Sequence, residues 1–237
     1  MRVEVWSDIN CPWCYIGKAR FEKALEAFPH REDVEVVHRS FELDTRAPYQ
    51  ARAVLPVIAA KYGIGLEQAA AAERRIADTA RAEGLAYHGE GRDGANTFDM
   101  HRMLHFAAGH GRQAALLDLL YRANFAEEAS AFAPGRLLEL AVEAGLGGAE
   151  AARVLADRSA YADAVREDEA TASAMGATGV PFFVFDRRLG VSGAQPAETF
   201  TAALTQAWDS RTVLPLVGIG EATGEACGPD GCEVPQH

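Results

Sequence analysis

Two cysteines three residues apart, Cys11 and Cys14, enclose Pro12-Trp13 at the point where an alternating apolar run gives way to a helical one. Residues three apart at a helix start share a face, so their sulfurs come within bonding reach. The first sulfur also meets unsatisfied N–H groups and the positive end of the helix dipole, which favours thiolate over thiol. Thiols in such Cys-X-X-Cys settings titrate at roughly 3.5–7.5. Pro12 suits the first turn, where its missing N–H breaks no bond. The chemistry indicated is thiol–disulfide exchange. Cys11 would attack as the more exposed sulfur, and the buried Cys14 would resolve the mixed disulfide. Half a zinc site or two incidental core cysteines would use the same spacing, and the strand-to-helix placement favours the redox reading over both.

A second pair, Cys227 and Cys232, encloses Gly228-Pro229-Asp230-Gly231, a run suited to a tight turn that brings two sulfurs together. Three readings stand: a redox pair exchanging with Cys11–Cys14, a passive disulfide or free thiols, and half of a four-cysteine zinc site. The chain from Trp208 to Cys227 spans at most ~60 Å at ~3.3 Å per residue, so reach does not exclude exchange. Asp8, three residues before Cys11, is either a proton relay to Cys14 or a cap of the turn into the helix. Lys18, one turn beyond Cys14, reads as a solvated helix-face lysine, and Asn96 as an N-cap. His101 and His105 are four apart, as a metal pair would be, but only Asp99 is acidic nearby, so no metal is assigned.

These residues need elements to hold them. Val3 and Val5 alternate with Arg2 and Glu4, as in a strand. Phe21, Leu25 and Phe28 then recur at helical spacing until Pro29, and Val34 to Arg39 alternates again, running on towards Leu43. This is a βαβ unit, which favours parallel pairing. From Ala51 to about Met175 the chain is Ala-rich and helical in period. Breaks at Gly63–Gly65, Gly84–Gly94, Gly109–Gly111, Pro134-Gly135 and Gly145–Gly148 predict six helices. Phe182 to Phe185, a turn at Asp186–Arg188, and Leu189 to Val191 read as a hairpin. Pro196 opens a last helix as its first residue, with Phe200, Ala203, Leu204 and Ala207 on its apolar face. The two β-containing parts together make a four-stranded mixed sheet with helices on its faces.

Composition narrows the partners. The chain has 237 residues, and its 23 Lys+Arg against 34 Asp+Glu leave a net charge of -11. A protein that binds by neutralising phosphates needs the opposite balance, so nucleic acid and anionic membranes are poor partners. Four cysteines are too few for a disulfide scaffold, which needs roughly 8–10%. The longest apolar run, Val54 to Ala60, is short and carries Pro56. A membrane helix needs roughly 18 apolar residues. The N-terminus meets Asp8 before an apolar signal core could form, so a cytoplasmic protein is expected.

One resemblance spans nearly the whole chain. It is carried by Ser7-Asp8, Cys11-Pro12-Trp13-Cys14-Tyr15, Gly17, Asn96-Thr97, His101-Arg102, Val180-Pro181 before the hairpin, Ser192-Gly193-Ala194-Gln195 and the cysteine-bearing tail. Together they resemble the thioredoxin-fold DsbA family and, more narrowly, its FrnE-like branch. The resemblance implies an α/β, thioredoxin-like fold with a large all-helical insertion. Its thioredoxin-like parts fall at 1–44 and 176–210, the insertion at 45–175 and the tail at 211–237. It implies a cis Val180–Pro181 bond packed against the active-site disulfide, with the Val180 backbone offered to a substrate strand. The catalytic set is then Cys11, Cys14 and Pro181. Pro12, Trp13, Val180, Phe98 and His101 would bind substrate, with Met103 near the same cleft and Cys227 and Cys232 as an auxiliary redox pair.

The expected activity is that of a thiol–disulfide oxidoreductase on protein or small-molecule disulfides and dithiols. No cofactor is expected beyond the redox-active disulfide, with glutathione a candidate co-substrate. Trp13 stands where the best-known periplasmic relatives carry His, so their strongly oxidising poise does not carry over. Oxidase, reductase and isomerase stay open. Two other classes compete. Glutathione-dependent isomerases and transferases of the kappa and hydroxychromene-carboxylate type are similar in fold, but carry Ser where this chain has Cys11. A zinc-stabilised binding module would use all four cysteines.

Overall fold

The computed structural model describes residues 1–89 and 91–211. Cys227 and Cys232, with the rest of 212–237, lie outside the described residues. The chain opens with β1 (Arg2–Ser7), α1 (Pro12–Glu26) and β2 (Glu35–Ser40). A short ribbon strand β3 (Arg52–Ala53) leads into α2 (Val54–Tyr62) and α3 (Leu66–Ala82), and its partner β4 (Asp93–Gly94) follows. Five helices come next: α4 (Phe98–Ala108), α5 (Gln113–Phe125), α6 (Arg136–Glu143), α7 (Gly148–Ala156) and α8 (Ala162–Ala174). The chain then returns to the sheet with β5 (Phe182–Phe185) and β6 (Leu189–Ser192), and α9 (Ala197–Asp209) follows.

The expected mixed sheet is present, in the order β2-β1-β5-β6. β1 and β2 pair in parallel from Arg2↔Glu35 to Ser7↔Ser40, as a βαβ crossover requires. β5 runs antiparallel to β1, and β6 antiparallel to β5. Both faces of the central strands are covered, so β1 is buried from Val3 to Ser7 rather than on alternate residues. On one face Val3, Val5, Phe183 and Phe185 pack with Phe21 and Ala24 of α1 and Phe200 and Leu204 of α9. On the other, Trp6, Phe182 and Val184 pack with Ala172 of α8, and the Trp6 indole N–H donates to the Asp168 carbonyl at 2.8 Å. Glu4 points to that second face at 1% exposure, where Arg39 and Arg187 both pair with its carboxylate. Burial works to raise its pKa, but the two guanidinium groups hold it below the usual carboxylate range.

The helical block has a core of its own, which reaches the cysteines. Met103, Leu116, Leu120, Phe125 and Leu140 of the insertion pack in one cluster with Ile9, Cys11, Cys14 and Ile16. Helix α1 is therefore shared: its first turns are embedded in the helical core and its last turns in the sheet core.

Two details differ from the sequence reading. Among the described residues seven helices lie between Val54 and Ala174, not six. The additional break separates α7 from α8 at 157–161, where Tyr161 takes a φ of 61° and no Gly or Pro marks the turn. Arg102 of α4 holds that break. Its Nη1 donates to the carbonyls of Val154 (2.8 Å), Asp157 (2.9 Å) and Ala160 (3.0 Å), groups that a continuous helix would use internally. The second difference is minor: Pro196 is the N-cap of α9, one residue before the helix. Among the described residues, no helix is long and apolar enough to cross a membrane.

Candidate active site

β1 ends against the insertion, and the five residues after its last buried Trp are held by a dense set of hydrogen bonds. The Cys11 N–H donates to the Asp8 carbonyl at 3.1 Å, and the Asn10 N–H to Asp8 Oδ1 at 3.3 Å. Asn124 Nδ2 of α5 donates to the Ile9 carbonyl at 2.7 Å, and Asn10 Nδ2 to the Ala95 carbonyl at 2.7 Å. The insertion thus ties down the turn that carries Cys11.

Cys11 is itself the N-cap of α1: its Sγ accepts the Cys14 N–H at 3.3 Å. The sulfur occupies the place where a helix holds negative charge best. Both cysteines are free thiols in this structure. Cys11 is 4% exposed and Cys14 1%, so the expected order of exposure is present but both sulfurs are sheltered. Burial pushes the Cys14 thiol well above its ordinary range; the adjacent Cys11 sulfur adds to this, and the Asp8 N–H opposes it.

The Val180–Pro181 peptide bond is cis. Its Val180 carbonyl accepts the Cys11 thiol at 3.6 Å, so in this dithiol structure that part of the Val180 backbone is already engaged. Pro181 is buried and held from two sides. Its carbonyl accepts the Gly193 N–H at 2.8 Å, and its ring lies over Gly17. A Cβ on Gly17 would stand 2.9 Å from Pro181 Cγ and 3.3 Å from Ala194. Arg20, one turn further along α1, donates to the Ala194 carbonyl at 2.7 Å. Gly17 and the Ser192–Gln195 segment therefore position Pro181 relative to the sulfurs. We expect Gly17→Ala to destabilise the protein by about 1–2 kcal/mol, because overpacking outweighs the ~1 kcal/mol gained in helix propensity. It should also lower disulfide-exchange activity at least tenfold by displacing Pro181. Urea unfolding and an exchange assay check the two effects separately, and unchanged values in both would discard this role for Gly17.

The remaining site residues fall into two groups. Trp13 is 42% exposed and Pro12 partly so, which leaves both open to a docked molecule. His101 and Met103 are instead buried, at 1% and 0%. His101 faces Asp8, Nε2 to Oδ1 3.5 Å, so its neighbour is protein and not solvent. Phe98 packs its ring against the guanidinium groups of Arg166 (4.5 Å) and Arg102 (5.8 Å). Asp8 is 2% exposed and does not cap the helix; its Oδ2 accepts the Leu43 N–H at 2.7 Å. Burial works to raise its carboxyl, but His101, the Leu43 N–H and Thr97 hold it below the usual range. Asn96 is not the N-cap of α4, which is Thr97, yet its Oδ1 accepts the Phe98 N–H at 2.9 Å. Lys18 is not solvated: it is 8% exposed and paired with Glu22 and Asp118, and these carboxylates raise its pKa against the opposing effect of burial.

His101 and His105 turn to different carboxylates, Asp8 and Asp168. Among the described residues no three His, Cys, Asp or Glu side chains gather as a metal site would require. Three residues that spacing alone did not single out also contribute. Asn124 and Gly17 have the positions described above. Tyr121, 1% exposed, stands with Tyr15 and Phe125 against the cysteine turn, with Tyr15 stacked on Phe125 at 5.2 Å.

Comparison with known proteins gives the same outline. Residues 2–205 match the family described as DSBA-like thioredoxin domain. The crystal structure of a probable DsbA oxidoreductase, SCO1869 from Streptomyces coelicolor, is 60% identical, with 100% of both chains covered and a TM-score of 0.89. The cytosolic disulfide reductase DsbM from Pseudomonas aeruginosa, solved with GSH, shares 20% identity over 88% of this chain and 100% of its own, with a TM-score of 0.61; that likeness is one of fold. Among curated proteins, YwbO from Bacillus subtilis (strain 168) is 26% identical over 86% of this chain and 96% of its own length.

Proposed function

This chain belongs to the DSBA-like thioredoxin domain family, and from that premise we propose that it is a thiol–disulfide oxidoreductase of the FrnE-like branch, working through Cys11 and Cys14. The observation that carries this reading is the placement of Cys11 Sγ. It caps α1, accepts the Cys14 N–H at 3.3 Å and lies 3.6 Å from the Val180 carbonyl of the cis Val180–Pro181 pair. In the reductive direction the Cys11 thiolate attacks one sulfur of a substrate disulfide. A Cys11–substrate disulfide forms and the other substrate sulfur leaves as a thiolate. Cys14 then loses its proton and attacks the Cys11 sulfur, forming the Cys11–Cys14 disulfide and releasing the second substrate thiolate. Two electrons pass to the substrate, whose two sulfurs take up two protons from the dithiol or solvent. The oxidative direction is the reverse.

Three features assist. The raised Cys14 thiol needs a proton acceptor at resolution, and the buried Asp8, whose carbonyl accepts the Cys11 N–H, is the candidate relay. Trp13 and Pro12 form the accessible rim, and Val180 and Pro181 the opposite wall, for a protein or small-molecule disulfide. Glutathione is a fitting partner to recycle the pair in a reducing cytosol, and Cys227–Cys232 is an auxiliary pair for the same purpose. The isomerase and transferase reading is less well supported, since Cys11 and a resolving Cys14 both stand at the helix start.

The test is a redox titration of the full chain against glutathione, with the disulfides assigned by mass spectrometry. We expect a two-electron transition assigned to Cys11–Cys14, with a Cys11–glutathione adduct at intermediate ratios. A second transition at Cys227–Cys232 that responds to Cys11→Ser would support exchange between the pairs. A Cys11–Cys14 pair that never oxidises would overturn the reading.

A further inference from the structure

Behind the cysteines lies a buried acid with a buried base facing it. Asp8 is 2% and His101 1% exposed, and His101 Nε2 stands 3.5 Å from Asp8 Oδ1. Neither ring nitrogen of His101 has a hydrogen-bond partner among the described residues; the carboxylate within ion-pair distance of the ring is that of Asp8, and Glu42 stands farther off. The pair sits against the reacting atoms, because the Asp8 carbonyl accepts the Cys11 N–H at 3.1 Å. A carboxylate left alone there would set a buried negative charge beside two sulfurs that must themselves become negative.

The other groups facing the pair come from every element around it. Ser7, Cys11 and Cys14 lie on the β1–α1 segment, and Leu43 and the buried Glu42 follow β2. Thr97 and Asn96 precede α4, and Tyr121 belongs to α5. Glu42 is occupied by Arg166 and by Asn96 Nδ2, and Thr97 and Tyr121 are neutral donors. His101 is the only basic side chain among these that faces Asp8.

We propose that His101 is a positioning residue for thiol–disulfide exchange: it carries the proton that makes the Asp8–His101 pair net neutral, leaving the Cys11 and Cys14 thiolates without a buried like charge beside them. This rests on the exchange reading above, and adds to it a reason why a histidine of the helical insertion bears on a thiol of the βα turn. The effect passes through Asp8, so it requires no contact between His101 and substrate.

The test follows iodoacetamide alkylation of Cys11 in the reduced full-length chain from pH 4 to 9, read by peptide mass spectrometry. His101→Gln should raise the midpoint of the profile and slow alkylation about tenfold below it, because Asp8 then stands uncompensated. Adding Asp8→Asn to that variant should restore the rate to within about threefold of wild type, a reversal that a packing defect would not show. His105→Gln, which breaks the other buried His–Asp contact one turn along α4, should leave the profile in place. An unchanged profile in His101→Gln, a double variant as slow as the single, or an equal shift in His105→Gln would each overturn the proposal. Should the variants fail to fold, 15N spectra of histidine-labelled wild type decide it: the ring of His101 should read as imidazolium in the dithiol protein at pH 7, and a neutral ring overturns the proposal. If wild type shows these titration properties yet exchanges with no disulfide, the function above is wrong and the charge pairing stands. If it exchanges and the profile ignores His101, the reverse holds.

Discussion

Cys11→Ser is expected to lower dithiothreitol-coupled reduction of insulin by at least about 1,000-fold, because a hydroxyl at this position is neither ionised at neutral pH nor able to form a disulfide. The same substitution should leave the fold intact. Cys11 is the N-cap of α1, and serine is among the best residues for that position, its oxygen able to accept the Cys14 N–H in place of sulfur. Activity and stability are therefore expected to separate cleanly: turnover lost, melting temperature unchanged or slightly raised. Cys14→Ser should behave differently, still attacking through Cys11 but accumulating a Cys11–substrate mixed disulfide visible by intact mass. A Cys11→Ser protein that retains more than a tenth of wild-type turnover would discard the mechanism.

The largest effect on stability is expected at Arg102. Its side chain is 0% exposed and spans three carbonyls and the Asp99 carboxylate, which it meets at 2.8 Å. Arg102→Met fills much of the same volume but removes at once the buried guanidinium that all four acceptors share. Breaking a buried charged network in this way costs about 3–5 kcal/mol. For a chain of this length that is a fall of about 6–20 °C in melting temperature. Arg102→Lys should recover little, because a single ammonium cannot hold the three carbonyls met by Nη1 and, at the same time, the Asp99 carboxylate met by Nε and Nη2. Urea unfolding measures the loss, and limited proteolysis should place the first new cleavage at 157–161, between α7 and α8. A change below about 1 kcal/mol would mean that the loop holds itself without the guanidinium.

Arg102 also marks where reading the chain residue by residue stopped. The sheet was legible because its signals are local: Val3 and Val5 alternate, Pro29 ends a helical run, and Asp186 to Arg188 carries a turn. The same local logic counted six helices, since each break it used contains Gly or Pro. The sixth break, at 157–161, has neither, and a guanidinium from α4 holds its carbonyls. The site divides in the same way. Cys11 and Cys14 could be paired from spacing, and Gly17 and Val180-Pro181 only through the family pattern. Nothing local pairs Asp8 with His101, or sets Asp118 of α5 against Lys18. Those contacts join β1 or α1 to helices of the insertion, and the charges involved look the same on paper whether they meet protein or water.

Helix α1 carries Cys14 and Ile16 in one hydrophobic cluster and Phe21 and Ala24 in the other. At 1.5 Å per residue its 15 residues form a rod of about 22 Å. Such a rod transmits tilt. A macromolecule that pries the insertion away from the sheet must either leave the rod behind, exposing Ile16, or swing its first turn and carry the sulfur pair away from Val180. Access and alignment are thus geared together: any tilt of α1 that loosens the insertion also shifts Cys14 relative to Val180.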